Sequence, residues 1–182
     1  MAKAPEPATL VISLLAREEA PRLAAIRALA ELCGPLERLS APMAFGQTIY
    51  YEPEMGLGLD RRLAVFERPT PLHELARIKK QCMALEVSLA REGRRAVNID
   101  PGLLTADGLI LATHKYQGHR LPLGLDLYCE LTLFFQRGRY RALAWTYSDY
   151  AGDEMTRLLA LIRERHLWRL KRRAAADSGE DQ

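Results

Sequence analysis

The chain has 182 residues, of which 48% are hydrophobic and 27% charged, and its net charge at pH 7 is +3. This length and composition predict a single domain over 1–182 with one core. The small net charge does not by itself indicate a nucleic-acid partner. The apolar run near the N-terminus is too short for a membrane span or a signal segment. The three cysteines lie far apart within apolar patterns, so we expect a reduced, cytoplasmic protein without disulfide bonds.

The first part of the chain predicts a ferredoxin-like βαββαβ core over about 8–100. Apolar, β-branched runs indicate strands, and apolar residues at helical spacing indicate helices. The predicted elements are strand, helix, strand, strand, helix and strand over 9–16, 19–33, 44–51, 59–67, 70–92 and 94–99. This order is the split βαβ pattern, so the expected fold class is α+β.

The second part predicts a β extension over 101–150, followed by a C-terminal helix over 151–173 and a disordered tail over 174–182. A strand is expected at 109–115. A β-hairpin is expected over 126–147, because Arg137 and Gly138 suit a tight two-residue turn.

The register of this hairpin predicts a polar and aromatic face. Pairing outwards from the turn at 137–138 places Glu130 opposite Trp145, and then Tyr128 opposite Tyr147. Cross-strand partners share a face, so Glu130 would lie among aromatic rings and serve as a charge or a base for a ligand. The alternative is a half-buried sheet face on which Glu130 bonds a tyrosine hydroxyl.

Asp100 precedes Pro101 and Gly102, which fit the central positions of a type II turn. In the simpler interpretation, the Asp100 carboxylate accepts a backbone N–H of that turn. In the functional interpretation, an acid at a strand end beside a turn is a catalytic carboxylate or a metal ligand at a cleft.

A basic stretch, THKYQGHR, lies between these two motifs. Lys115 and Arg120 indicate an anion pocket, because an ammonium and a guanidinium group together suit phosphate or carboxylate. His119 is the candidate proton carrier. His114 and His119 with nearby acids would also suit a metal, although their spacing is not a metal signature, so the metal stays open.

These motifs predict one cleft at a rim of the sheet. The expected catalytic residues are Asp100, His119 and Glu130, and the expected ligand-binding residues are Lys115, Arg120, Tyr128, Trp145, Tyr147 and Asp149. Two carboxylates in such a cleft would raise the pKa of one, while the arginine would lower the pKa of the other. The alternative is that these polar residues are spread over the surface and bonded locally.

Other function classes find little support. The sequence has no phosphate loop and no GxSxG nucleophile motif. The first and third core strands lack the aromatic set of an RNA-recognition motif. The basic run RERHLWRLKRR suits the negative end of a helix dipole better than RNA, which remains a less favoured partner.

The ordered motifs YYEPEMG, VNIDPG, HR, DLYCELTL and WTYSDY resemble a bacterial family catalogued as domain of unknown function 4416, over about 6–170. The positions that carry this resemblance are Tyr50, Tyr51, Glu54, Met55, Gly56, Asn98, Asp100, Pro101, Gly102, Lys115, His119, Arg120, Tyr128, Glu130, Trp145, Tyr147, Asp149 and Tyr150. The resemblance implies no established activity. The predicted cleft, and not the resemblance, leads us to expect a protein that binds an anionic phosphate- or carboxylate-bearing small molecule and hydrolyses it or transfers a group from it. The alternative is an RNA-binding or partner-binding module without catalysis.

Overall fold

The computed structural model of the chain describes residues 5–46 and 48–178. Within them the strands are β1 (Ala8–Ala16), β2 (Leu36–Leu39), β3 (Met43–Ala44), β4 (Asp60–Thr70), β5 (Asn98–Leu104), β6 (Gly108–Thr113), β7 (Leu121–Gly124), β8 (Leu127–Gln136) and β9 (Arg139–Ala142). The helices are α1 (Glu19–Cys33), α2 (Glu52–Met55), α3 (Leu75–Ser88), α4 (Ser148–Ala151) and α5 (Asp153–Ser178). This content confirms the α+β class and the C-terminal helix. No helix in the described part is long and apolar enough to cross a bilayer.

All the strands join one antiparallel sheet in the order β2-β4-β1-β5-β6-β8-β7, with β3 beside β4 and β9 beside β8. Every residue of β1 is buried, because β1 lies between β4 and β5 and is apolar except at Thr9 and Ser13. Helices α1 and α3 cover one face of the sheet, here called the first face. Helices α4 and α5 cover part of the other, the second face. The strand predicted at 94–99 begins later, as β5 at Asn98, and it lies directly beside β1, the strand predicted at 9–16.

The prediction of a strand over 44–51 is wrong. The chain instead forms the short strands β2 and β3, and then the helical turn α2. Pro53 lies in the first turn of α2, where its fixed φ angle favours a helix, and the Met55 amide donates to the Tyr51 carbonyl. The predicted cap of the second long helix also differs, because Thr70 ends β4 and a 3₁₀ turn over Leu72–Glu74 precedes α3.

Pro101 and Gly102 are not in a turn, contrary to the prediction. Both lie inside β5, opposite Ile12 and Val11 of β1. β6 pairs with β5 only from Gly102 onwards. Pro101 is tolerated because no strand on the β6 side needs a hydrogen bond from its backbone nitrogen. A Cβ at Gly102 would lie 2.6 Å from a methyl carbon of Leu111, which explains the glycine. The predicted boundary between 8–100 and 101–150 thus falls inside one strand.

The hairpin turn at 137–138 is confirmed, but the predicted register holds only close to it. Pairs run from Gln136 and Arg139 to Leu133 and Ala142, and β9 then ends. Beyond this point β7 pairs with this edge of β8, while β6 pairs with the opposite edge and lies with Leu111 opposite Glu130. The predicted opposition of Glu130 to Trp145 and of Tyr128 to Tyr147 is therefore wrong, since Leu143 and Thr146 close a turn of their own.

An extra residue in β8 interrupts the predicted alternation of this strand. Leu109 and Ile110 of β6 pair with Leu133 and Leu131, so Thr132 forms a β-bulge. Leu133 consequently packs on the second face, whereas Cys129 packs on the first. Leu131, which pairs with Ile110 beside the bulge, is 42% exposed.

Replacing Gly138 by alanine is expected to destabilise the fold by about 1 kcal/mol, because φ at this residue is +77° and a side chain is strained there. Urea unfolding would measure the loss. The matched control is Gly46→Ala, at an open position without a positive φ, which should change stability by less than about 0.5 kcal/mol. Equal losses in both variants would contradict the prediction.

The C-terminal helix is longer than predicted. It runs to Ser178, so 174–178 of the expected disordered tail are helical, and 179–182 lie outside the described residues. Two of its basic residues, Arg165 and Arg169, form ion pairs with Glu37 of β2. These pairs and apolar contacts hold the helix against the second face.

Candidate functional site

The predicted site residues fall into three neighbouring clusters on or beside the second face. The first, here called the histidine cluster, consists of His119, Arg120, Glu130, Trp145 and Tyr147. The second, the aspartate cluster, consists of Lys79, Asn98 and Asp100. The third, the Arg61 cluster, consists of Phe45, Arg61, Asp149 and Tyr150.

The histidine cluster is built around Glu130, which is only 3% exposed. Glu130 Oε2 lies 2.6 Å from Arg120 Nε and 3.0 Å from His119 Nε2. The His119 ring stacks on the Trp145 ring, with 4.8 Å between centroids and 11° between planes. The Trp145 indole N–H donates to the Leu131 carbonyl at 2.9 Å. The imidazole is therefore held by a carboxylate at one edge and by an aromatic ring on one face.

Arg120 is 5% exposed, and each of its three guanidinium nitrogens donates one hydrogen bond within or beside this cluster. Besides Glu130, it donates to the Lys115 carbonyl at 2.8 Å and to the Tyr147 hydroxyl at 3.0 Å. Burial lowers the pKa of Arg120, but its bonds to Glu130 and Tyr147 outweigh burial and raise that pKa overall. Arg120 thus links Glu130, Tyr147 and the backbone at Lys115, and its role as an anion ligand stays a prediction.

Lys115 follows the end of β6 and is exposed beside Arg120. Its ammonium nitrogen lies 2.5 Å from the Tyr50 hydroxyl oxygen and 3.8 Å from the centre of the Tyr50 ring. Tyr128 stands in β8 with its ring 5.5 Å from that of Tyr116. Lys115 therefore joins the histidine cluster through its backbone, while its side chain lies on the Tyr50 ring.

In the aspartate cluster, both carboxylate oxygens of Asp100 are occupied. Lys79 Nζ lies 2.7 Å from Oδ1, and the Asn98 amide donates to Oδ2 at 2.6 Å. Lys79 reaches Asp100 from α3 at the part of β5 where β6 no longer pairs with it. Burial acts to raise the pKa of Asp100, but the Lys79 charge and both hydrogen bonds outweigh burial and lower it. Asp100 is consequently a weak base in this arrangement.

The Arg61 cluster holds Asp149 away from Glu130. Asp149 Oδ2 lies 2.5 Å from Arg61 Nη2, and Arg61 is 8% exposed. The guanidinium carbon lies 5.1 Å from the centre of the Phe45 ring and 4.7 Å from that of Tyr150, so the cation is packed between two rings.

The clusters share one face of the sheet but do not meet at a single point. Glu130 pairs with Leu111, Leu111 pairs with Gly102, and Asp100 is two residues from Gly102 along β5. Strand spacing then separates the Cα atoms of Glu130 and Asp100 by about 12 Å. The structure brings His119, Arg120, Glu130, Trp145 and Tyr147 together. Asp100 and Asp149 have partners of their own.

Two clefts lie near these clusters. One, of about 270 Å³, is lined by residues of 17–21, 52–56 and 91–96. The other, of about 190 Å³, is lined by Phe45, Arg61 and Asp149 together with the start of α5. No residue of the histidine cluster lines either of these two clefts. Among the described residues, no three His, Cys, Asp or Glu side chains are grouped to hold a metal ion.

Sequence reasoning missed Lys79 and Arg61, the buried cations that hold the two predicted aspartates. Lys79 lies on the apolar face of its helix with Leu75, Ile78 and Cys82, all of which are buried. That helical spacing was the available signal, because a lysine on a core-facing stripe needs a buried partner. Arg61 gave no comparable signal, since it stands in the charged run DRR at the start of β4.

The model of one protein family, described as domain of unknown function (DUF4416), matches residues 6–166. No curated protein and no solved structure matches the chain. The match spans β1 to most of α5 and so includes every cluster described above. The chain therefore belongs to the DUF4416 family.

Proposed function

We propose that this protein binds an anionic phosphate- or carboxylate-bearing small molecule at the histidine cluster, and that His119 moves a proton in its hydrolysis or group transfer. The observation that carries this proposal is the buried Glu130 carboxylate bonded to a histidine that remains 19% exposed. A buried acid that orients a partly exposed imidazole is the arrangement used by general bases.

The hydrogen bond to Glu130 determines which nitrogen of His119 can act. An ionised Glu130 accepts a hydrogen bond from Nε2–H, so the neutral ring carries its lone pair on Nδ1. Nδ1 would take a proton from an attacking water or hydroxyl group and then return it to the leaving group. Stacking on Trp145 prevents the ring from tilting, which keeps this geometry fixed.

The anionic part of the ligand would be recognised by the groups around His119. Lys115 offers an exposed ammonium group. Trp145 and Tyr147 are 37% and 51% exposed and offer a stacking surface and a hydroxyl group. Asp100, Tyr128 and Asp149 are the outer members of the proposed site.

The test is hydrolysis of p-nitrophenyl phosphate and p-nitrophenyl acetate by the intact chain and by His119→Gln. The variant should lose turnover by about a hundred-fold, because it lacks the proton carrier. The matched control is His73→Gln, whose side chain is 81% exposed and outside the cluster. An unchanged rate in His119→Gln, or no turnover of either ester by the intact chain, would overturn the catalytic part.

Binding is tested separately by the shift in melting temperature with inorganic phosphate, phosphate monoesters and carboxylic acids, because a ligand stabilises the fold that binds it. Lys115→Ala should reduce the shift, and the exposed Lys80→Ala on α3 should not. The absence of any shift across this panel would overturn the binding part.

For the fold, we infer that β1, β2, β4 and β5 with α1 and α3 form a ferredoxin-like βαββαβ core inside the larger sheet. The strand order β2-β4-β1-β5 and the position of both helices on the first face support this inference. The unpaired thiols of Cys33, Cys82 and Cys129 support a cytoplasmic setting. An experimental structure with another order of these four strands would contradict the inferred core.

A further inference from the structure

The larger cleft, of about 270 Å³, is rich in arginine and shares no residue with the histidine cluster. It lies between the start of α1, the turn α2 and the segment that leads into β5. Its charged lining residues are Arg17, Arg91, Arg94 and Arg95 with Glu18, Glu52 and Glu54. We call it the arginine cleft.

The carboxylates of the arginine cleft do not saturate its arginines. Glu18 is shared by Arg17, at 3.2 Å, and Arg91, at 2.9 Å. Glu54 pairs with Arg95 at 3.4 Å, whereas Arg94, which is exposed, has no ion pair among the described residues. The shared pairs are about half exposed, with Glu18 at 47% and Arg91 at 60%. Exposed pairs of this kind contribute little stability, so an incoming anion can replace Glu18.

The backbone holds two of these arginines side by side against their mutual repulsion. Arg91 and Arg94 form an isolated antiparallel bridge, with both amide-to-carbonyl distances at 2.9 Å. The connecting residues Glu92 and Gly93 have φ angles of 51° and 74°, so a non-glycine residue occupies the left-handed region. Like charges directly opposite each other in a β pair are destabilising. An anion bound between the two guanidinium groups would remove that repulsion.

A neighbouring glycine keeps space for a third arginine. Gly56 ends the turn α2 with a φ angle of +80°, and a Cβ atom there would lie 3.3 Å from Arg17 Nη1. Arg95 closes the other side, where its guanidinium group donates to Asn98 at 2.6 Å. Arginine groups are thus contributed by two separate segments of the chain, one before α1 and one that includes both sides of the 92–93 turn.

We propose that the arginine cleft binds a phosphate dianion, either inorganic phosphate or the terminal group of a small phosphate monoester. Guanidinium groups donate two parallel hydrogen bonds to phosphate oxygens, and a dianion with three free oxygens can engage several of them. A monocarboxylate, with one charge and two oxygens, would leave part of this donor set unused. The volume of about 270 Å³ accommodates a phosphate with a small organic group.

Calorimetric titration of the intact chain tests the proposal, with inorganic phosphate, glycerol 1-phosphate and acetate in low-salt buffer. Both phosphates should bind, and acetate should bind at least about ten-fold more weakly, because it forms fewer charge-assisted hydrogen bonds. Tighter binding of the ester than of inorganic phosphate would identify a monoester as the ligand. The reverse order would identify the free ion.

Variants of one exposed arginine locate the binding site. Arg94→Ala should weaken phosphate binding about ten-fold, and Arg94→Lys should weaken it less, because lysine keeps the charge but loses the paired donors. Arg27→Ala, at an exposed arginine of α1 outside the cleft, is the matched control and should leave binding unchanged. Circular dichroism should show all three variants folded.

The result that would overturn the proposal is phosphate binding that Arg94→Ala leaves unchanged, or no binding of either phosphate. Phosphate binding lost in Lys115→Ala but retained in Arg94→Ala would also overturn it, and would assign the anion to the histidine cluster instead. The turnover assay with His119→Gln tests only the histidine cluster, so its result does not bear on phosphate binding in the arginine cleft. The two proposals therefore fail independently.

Discussion

Replacing Glu130 by glutamine is expected to lower the free energy of unfolding by about 3 kcal/mol, because the change leaves the Arg120 cation buried without its counter-ion. Both side chains are almost fully buried, at 3% and 2% exposed. Solvent therefore screens the remaining charge poorly. Urea unfolding at pH 7 measures the loss, and the exposed Glu164→Gln on α5 is the matched control.

A double variant separates the ion pair from its surroundings. Glu130→Gln combined with Arg120→Met should lose less stability than the sum of the two single changes, because the second change removes the unpaired charge left by the first. A loss below about 1 kcal/mol in Glu130→Gln, or strict additivity in the double variant, would show that the pair does not stabilise the cluster.

The replacement of Asp100 by asparagine is expected to cost about 2 kcal/mol, because it removes the counter-ion of Lys79. The effect should be smaller than at Glu130, since the Asp100 side chain is 33% exposed and water can reach the ammonium group. Asp107→Asn, at an exposed residue between β5 and β6, is the matched control. Equal stabilities of Asp100→Asn and the control would contradict the prediction.

The Asp100 prediction includes a pH dependence with a defined sign. The lowered pKa of Asp100 stabilises the fold above its ordinary value of 3.8, and this stabilisation is lost as pH falls through the folded-state pKa. Burial lowers the pKa of Lys79, but the Asp100 charge raises it overall above 10.5, so its contribution is lost as pH rises through that higher value. The difference between the native chain and Asp100→Asn should stay constant from about pH 5 to 9 and shrink outside this range.

The parts of the fold that depend on local sequence could be predicted. Helix α1 was expected over 19–33 and β1 over 9–16, because their patterns need no knowledge of a partner. The turn at 137–138 was expected for the same reason. The bulge at Thr132 depends on how β8 pairs with β6, and a single sequence does not contain that register.

The candidate site was predictable to a similar degree. His119, Arg120 and Glu130 were expected to be neighbours, and the pairing of β7 with β8 brings them together. The contacts of Asp100 with Lys79 and of Asp149 with Arg61 join residues 21 and 88 positions apart. Such contacts form only when the sheet and its helices are assembled. The sequence pattern therefore did not indicate that Lys79 and Arg61 bind the two aspartates.

The outer strands of the sheet have a consequence for how copies of this chain meet. In the described sheet the outermost strands are β2 and β3 at one side and β7 and β9 at the other, and none exceeds four residues. Pro122 in β7 also lacks an amide hydrogen. Neither side presents a long row of open backbone groups to which another strand could be added. The folded chain should therefore resist joining its sheet to that of a second copy, and any self-association would depend on side chains.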